Sequence, residues 1–275
     1  MTKIKIALCQ MNVIDGKEKN LKKAELMINK AVDKNSDFIV LPEMFNCPYS
    51  NDKFIEYCEN EKTSKTLFKI SELSSKNNVY ILAGSIPEKE KGKLYNTSYL
   101  FDRNGKIIAK HRKMHLFDID VKGKISFRES DVLTAGNNIT VVDTEFGKIG
   151  IGICYDIRFP ELARLMTLKG ASILFYPGAF NMTTGPAHWE LLFRSRALDN
   201  QVYCIGVAPA LNMNASYHSF GHSIITNPWG EIIAEASEKE ELIISEINLN
   251  EIKKIREELP LLKNKREDLY EIIEK

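Results

Sequence analysis

One plan of alternating segments occurs twice in this chain, and no other feature narrows its fold so far. Lys3–Gln10 alternates Lys, Ile, Lys, Ile, Ala and Leu, the pattern of a strand. Lys17–Asp33 sets Leu21, Ala24, Ile28 and Ala31 at helical spacing with charge between them. Residues 37–43 read as a buried strand ended by Pro42, residues 64–77 as a second amphipathic helix, and residues 79–85 as a third strand. Residues 97–102 and 106–110 then flank Asn104-Gly105, a strong hairpin signal. The second half repeats the order. A strand over 149–154 is followed by a helix over 161–169, a strand over 172–177, a helix over 187–200 and a strand over 202–207. Residues 222–227 and 231–235 flank Trp229-Gly230 as the first hairpin flanks its own turn. Two such β-α-β-α-β-hairpin units predict two sheets stacked face to face with helices outside, all in one domain spanning residues 1–275. A doubly wound single sheet is the alternative.

Two stretches stand outside the repeat. Residues 113–138 are polar and poor in periodicity, and a loop that long inside a compact domain is usually functional. Residues 250–275 form a charged tail with a short helix and Pro260, expected to pack along a surface or reach a subunit interface. Composition excludes several classes of function. A net charge of +1 gives no nucleic-acid footprint. Five cysteines without paired spacing give neither a disulfide framework nor a zinc ribbon. The start, Met1-Thr2-Lys3-Ile4-Lys5-Ile6, reads directly into a strand without a signal-peptide pattern. No apolar run approaches a membrane span. A soluble, cytoplasmic protein with no membrane or nucleic-acid partner is expected.

Chemistry concentrates at ends of strands. Ile149, Ile151 and Ile153 belong to a glycine-spaced, β-branched run that stops at Cys154, and a charged turn leads to a helix opening at Pro160-Glu161. A strand handing over to a helix places a side chain and a free backbone N–H in one small space, which suits a nucleophile with an oxyanion site beside it. Glu43 lies just past the strand that Pro42 ends, and Lys113 just past the first hairpin. Taken singly, a loop glutamate, a surface lysine and a buried cysteine are ordinary. The repeat makes them extraordinary together, because it sets all three at the same end of adjoining strands. A thiol of ordinary pKa, about 8.5, is mostly protonated at neutral pH and needs a base. A desolvated carboxylate can take that proton, and an ammonium can hold a developing oxyanion.

These residues resemble the nitrilase (carbon–nitrogen hydrolase) superfamily with its glutamate–lysine–cysteine triad. Leu41-Pro42-Glu43-Met44-Phe45 looks like the glutamate motif, His111-Arg112-Lys113-Met114-His115-Leu116-Phe117 the lysine motif, and Gly152-Ile153-Cys154-Tyr155-Asp156-Ile157-Arg158-Phe159-Pro160-Glu161 the cysteine motif. Within the superfamily the chain is most similar to the omega-amidase branch, through residues 115–120, Phe127-Arg128-Glu129-Ser130 and the run from Tyr176 to Glu190. The resemblance implies an α-β-β-α sandwich. It also implies hydrolysis of the terminal amide of 2-oxoglutaramate or 2-oxosuccinamate without metal or cofactor. Family members generally dimerise, so a homodimer is implied. Glu129 looks like the family's second glutamate, placed to orient Lys113.

The substrates so implied carry a carboxylate. Arg158, four residues after Cys154, offers a planar cationic fork for it. The backbone N–H of Tyr155 is expected in the oxyanion site. The omega-amidase resemblance adds Phe180 as an apolar wall and Thr184 as a hydroxyl donor. The pairs His111/His115 and His218/His222 have the spacing of a metal pair on a helix, but no third ligand lies near either in sequence. The glycines of Gly147-x-x-Gly150-x-Gly152 lie inside a strand and lack the order of a nucleotide loop. Other amidases of the superfamily, acting on deaminated glutathione or carbamoyl amides, are the nearest rivals.

Overall fold

The side chains of Lys3–Gln10 alternate between two separate cores: Ile4, Ile6 and Leu8 face one, Ala7 and Cys9 the other. A strand buried on both faces lies between two other layers. The computed structural model describes residues 3–275, so the lead into this strand through Met1 and Thr2 lies outside the described residues. The first half contributes β1 (Lys3–Gln10), α1 (Lys17–Asp33), β2 (Phe38–Val40), α2 (Asn51–Tyr57), α3 (Lys65–Asn77), β3 (Tyr80–Glu90), β4 (Lys93–Phe101) and β5 (Ile107–Arg112). A small hairpin of β6 (Asp118–Val121) and β7 (Ile125–Arg128) follows. The second half contributes β8 (Thr140–Thr144), β9 (Gly147–Ile151), α4 (Pro160–Leu168), β10 (Ile173–Pro177), α5 (Gly185–Asn200), β11 (Tyr203–Val207), β12 (Ile224–Thr226) and β13 (Ile232–Glu235). The chain ends with β14 (Glu241–Asn248), α6 (Asn250–Glu258) and the tail.

The strands form two six-stranded mixed sheets, ordered β14-β1-β2-β3-β4-β5 and β13-β12-β11-β10-β9-β8. Three neighbours in each are parallel, β1-β2-β3 and β9-β10-β11, and the outer pairs are antiparallel. The sheets face each other across a core where Ile6, Phe38, Val40 and Leu82 meet Ile151, Ile173, Phe175 and Ile205. The rings of Phe38 and Phe175 stack across it, 4.8 Å apart. Leu21, Ala24 and Ile28 of α1 and Leu67, Ile70 and Leu73 of α3 cover the outer face of the first sheet. Leu162 and Met166 of α4 and Trp189 and Phe193 of α5 cover the second. The result is the expected four-layer α-β-β-α sandwich, not one doubly wound sheet.

Besides α2 and β8, which have no counterpart in the other half, β14 and the β6–β7 hairpin depart from the repeat. β14 leaves the second half and pairs antiparallel with β1 from Lys3↔Asn248 to Gln10↔Glu241, so the halves are interlocked as well as stacked. The stretch 113–138, read as a loop, contains the β6–β7 hairpin. Its strands are four residues each, too short for alternation to register. The site is positioned by the parallel strands. Glu43 follows β2, Cys154 follows β9, and Lys113 follows β5, which runs in the same direction as β2 because two antiparallel steps separate β5 from β3.

Candidate active site

Pro42 ends the β2 run, and the next turn buries Glu43 completely. Met44 takes a left-handed backbone, φ 51°, and its N–H donates to the Ser85 hydroxyl at 3.0 Å. Gly84 makes this turn possible by close approach: a Cβ there would stand 2.1 Å from the Leu41 carbonyl oxygen. Three donors fix the Glu43 carboxylate. Oε1 accepts from Lys113 Nζ at 3.0 Å and Asn96 Nδ2 at 2.8 Å, and Oε2 accepts from the Ala179 N–H at 2.7 Å.

Lys113 is likewise fully buried. Besides Glu43, its ammonium donates to Glu129 at 2.9 Å. Glu129 opens the short turn after β7, and is itself held by the Phe117 N–H at 2.6 Å and the Tyr49 hydroxyl at 2.7 Å. The hairpin that sequence patterning missed is therefore what carries the second glutamate to the lysine.

Cys154 opens a tight 3-10 turn, Cys154–Arg158, with φ 47°, a conformation that costs an L-residue about 1–2 kcal/mol. The thiol residue is 4% exposed. Gly178, just past β10, packs on it: a Cβ there would lie 3.1 Å from Cys154 Cα. Gly178 and Ala179 thus bring the end of β10 against both the cysteine and Glu43. The Tyr155 ring packs edge-on against Phe117 and Phe159. Asp156 ties the turn to the lysine segment. Its Oδ2 accepts from the Ile153 N–H at 2.9 Å and bonds His111 Nε2 at 3.1 Å, while Oδ1 accepts from the His115 N–H at 2.9 Å and bonds His115 Nδ1 at 2.7 Å. The His111/His115 pair, weighed above as metal ligands, instead grips this one carboxylate. Among the described residues no group of three or more His, Cys, Asp or Glu is placed to share a metal.

The charges are strongly coupled. Burial pushes the Cys154 thiol well up, the Glu43 carboxylate pushes it further, and Lys113 only partly opposes them, so the resting sulfur keeps its proton. Burial would strip the Lys113 proton, but the Glu129 and Glu43 carboxylates outweigh it and hold the ammonium well above the ordinary lysine range. Burial would also raise Asp156. The bonds from His111 and His115 prevail and hold it well below the usual carboxylate range.

Arg158 closes the turn. Its guanidinium lies 4.6 Å over the Phe180 ring, Nη1 donates to His188 Nδ1 at 3.1 Å, and the buried Nε has no partner. Among the described residues no carboxylate pairs with it, and burial lowers its pKa. Phe180 is buried edge-on against Trp189. Thr184 sits in the turn before α5, with its N–H and hydroxyl toward Asn181 Oδ1 at 3.0 and 3.4 Å. A cleft of about 670 Å³ opens onto Glu43, Tyr49, Ala179 and Tyr217, with Asp52, Asn214 and Ser216 at its exposed rim. That volume suits a small metabolite. Tyr49, Tyr217, Asn96 and Asp156 escaped the sequence reading. For Asp156 a signal existed: His111 and His115 bracket Lys113 symmetrically, and Asp156 is two residues from Cys154.

The Carbon-nitrogen hydrolase family profile matches residues 5–257, and the chain belongs to that family. It is therefore a hydrolase of amide carbon–nitrogen bonds. It is 48% identical over 275 residues to the omega-amidase NIT2 of Xenopus tropicalis, covering 100% of this chain and 99% of that one. It is 46% identical over 272 residues to the human omega-amidase NIT2, covering 99% and 98%. The crystal structure of Saccharomyces cerevisiae Nit3, a member of branch 10 of the nitrilase superfamily, superposes with a TM-score of 0.89 at 44% identity, covering 96% and 97% of the two chains.

Proposed function

We propose that this protein is an omega-amidase, hydrolysing the terminal amide of 2-oxo dicarboxylic acid monoamides such as 2-oxoglutaramate to the 2-oxo acid and ammonia. The observation that carries the reading is the buried contact of Lys113 with both Glu43 and Glu129, beside the buried Cys154. Glu43 takes the thiol proton as Cys154 sulfur attacks the amide carbon. The Lys113 ammonium and the Tyr155 N–H hold the oxyanion; an N–H at the start of a helical turn has no acceptor within that turn. Glu43 then protonates the departing ammonia, leaving a thioester, and next activates the water that releases the acid. Glu129 keeps Lys113 charged and aimed.

Arg158 supplies the selectivity for an acidic amide. A half-buried guanidinium without a carboxylate partner, its Nε buried and unpaired and its face backed by Phe180, suits an anion. A charge-assisted bond of this kind is worth about 1.5–3 kcal/mol, roughly one to two decades in rate. Thr184 joins the Asn181 turn that presents Phe180. Parallel rates on 2-oxoglutaramate, deaminated glutathione, a carbamoyl amino acid and a nitrile test the reading, with 2-oxoglutaramate expected to lead. Arg158→Ala is expected to raise KM sharply for 2-oxo acid amides and little for neutral ones. Equal losses on both would remove Arg158 from this role.

The reading extends to assembly and place. The outer side of α5 leaves Leu191 63% exposed beside Leu198 and Trp229, and the tail brings Ile272 near Pro160 and Arg164 of α4. An apolar face of this kind suits a homodimer built on the α4–α5 layer and flanked by the 250–275 tail. All five cysteines are unpaired thiols, which fits the reducing cytoplasm. No helix among the described residues is long and apolar enough to cross a membrane.

A further inference from the structure

The neighbours of Arg158 raise a question that the carboxylate role leaves open: what stops its guanidinium from turning. The Phe180 ring supports one face of the fork but does not fix rotation in the plane, because a ring face attracts a cation without direction. Tyr155 is more distant, with its ring centre 5.5 Å away. One directional contact remains, from Nη1 to His188 Nδ1 at 3.1 Å. An arginine can only donate, so Nδ1 accepts and the imidazole proton sits on Nε2. His188 is itself anchored. It lies in the first turn of α5, donates its N–H to the Thr184 carbonyl at 2.9 Å, and precedes the buried Trp189. Its bond uses one of the five guanidinium N–H groups, and the unpartnered Nε shows that the fork is not saturated.

We infer that His188 is a positioning residue for substrate selectivity: its neutral imidazole pins one arm of Arg158 so that the remaining N–H groups face the carboxylate of an acidic amide. The inference rests on the carboxylate role proposed for Arg158. A plain packing role would ask only for volume at position 188. A positioning role asks for an acceptor where Nδ1 stands.

The test is the ratio of kcat/KM on 2-oxoglutaramate to kcat/KM on a neutral amide of similar length, measured for the full chain. Thermal unfolding of each variant is recorded alongside. His188→Leu, which keeps bulk but loses the acceptor, is expected to lower the ratio about tenfold, chiefly through KM, as the loss of one bond to a charged group would. His188→Asn, whose side-chain oxygen can take the place of Nδ1, is expected to recover most of it. In Arg158→Ala, adding His188→Leu should lower the ratio no further, because His188 acts through Arg158. The inference is overturned if His188→Leu leaves the ratio intact, if His188→Asn fails as His188→Leu does, or if the two losses add. An Arg158→Ala protein whose ratio is unaltered sinks the carboxylate reading itself. A ratio that collapses in Arg158→Ala but not in His188→Leu sinks only the part assigned to His188.

Discussion

At the scale of the residue, the site is a set of buried charges that would each be unstable alone. Lys113 is fully buried and stays charged only because Glu43 and Glu129 lie within 3.0 Å of it. Burial and the Glu43 carboxylate both favour the protonated Cys154 thiol, so the proposed attack is coupled to proton transfer onto Glu43 rather than started from a standing thiolate. Asp156 is a third buried charge, held by hydrogen bonds with the His111 and His115 rings and from the His115 and Ile153 N–H groups. Its folded pKa lies below its unfolded value of about 3.9, so its stabilisation is fully present above that pH and lost as pH falls through the folded value. Asp156→Asn is accordingly expected to cost about 3 kcal/mol near neutral pH. The Tm gap between wild type and variant should be widest at pH 6–7 and narrow below about pH 4. A gap that persists unchanged into acid would show that the charge of Asp156 is not what holds the turn.

Elements place these residues, and they do so through close approach as much as through strand direction. The turn after β2 is left-handed at Met44 and lies against Gly84 of β3. Gly84→Ala would force its Cβ into the Leu41 and Pro42 carbonyls, 2.1 and 2.2 Å away, so the chain carrying Glu43 must shift. A shift near 1 Å at the carboxylate proposed as the catalytic base is expected to cost about a hundredfold in kcat, and overpacking of this kind about 1–3 kcal/mol in stability. Steady-state kinetics beside thermal unfolding check both. Undiminished kcat in Gly84→Ala would mean that the loop relaxes without moving Glu43. Much of this scale was legible in the sequence. Alternation marked β1, helical spacing marked α1, and Pro160 marked the start of α4 within a residue. What could not be read was set by partners far along the chain. β14 is a strand because β1 offers it an edge, and β6 and β7 are too short to carry a period. Tyr49 and Asn96 reach the site only once β2 and β4 share a sheet, and no spacing announces that.

The whole molecule explains why three distant segments can meet. The two halves make equivalent sheets, so each brings the carboxyl ends of its parallel strands to the site, and β14 locks the first sheet to the second half. The duplication was visible in the sequence, and it foretold the sandwich because two half-buried sheets have only each other to cover their inner faces. Which outer surface meets a partner was not, since an exposed leucine looks like a buried one until the fold is known. The proposed dimer places Leu191 and Trp229 at the subunit contact. Leu191→Glu, a charge on that face, is expected to shift the mass measured by light scattering from dimer toward monomer. A Leu191→Glu protein that remains fully dimeric would move the contact elsewhere.

The central claim is that the amide is cleaved through a covalent bond to Cys154, and mass spectrometry of enzyme quenched during turnover of 2-oxoglutaramate tests it most directly. The account predicts a protein mass increased by the 2-oxo acid less one water, located on the peptide containing Cys154, and neither adduct nor turnover in a folded Cys154→Ala variant. Substantial amide hydrolysis by that variant, or an adduct on another residue, would contradict it.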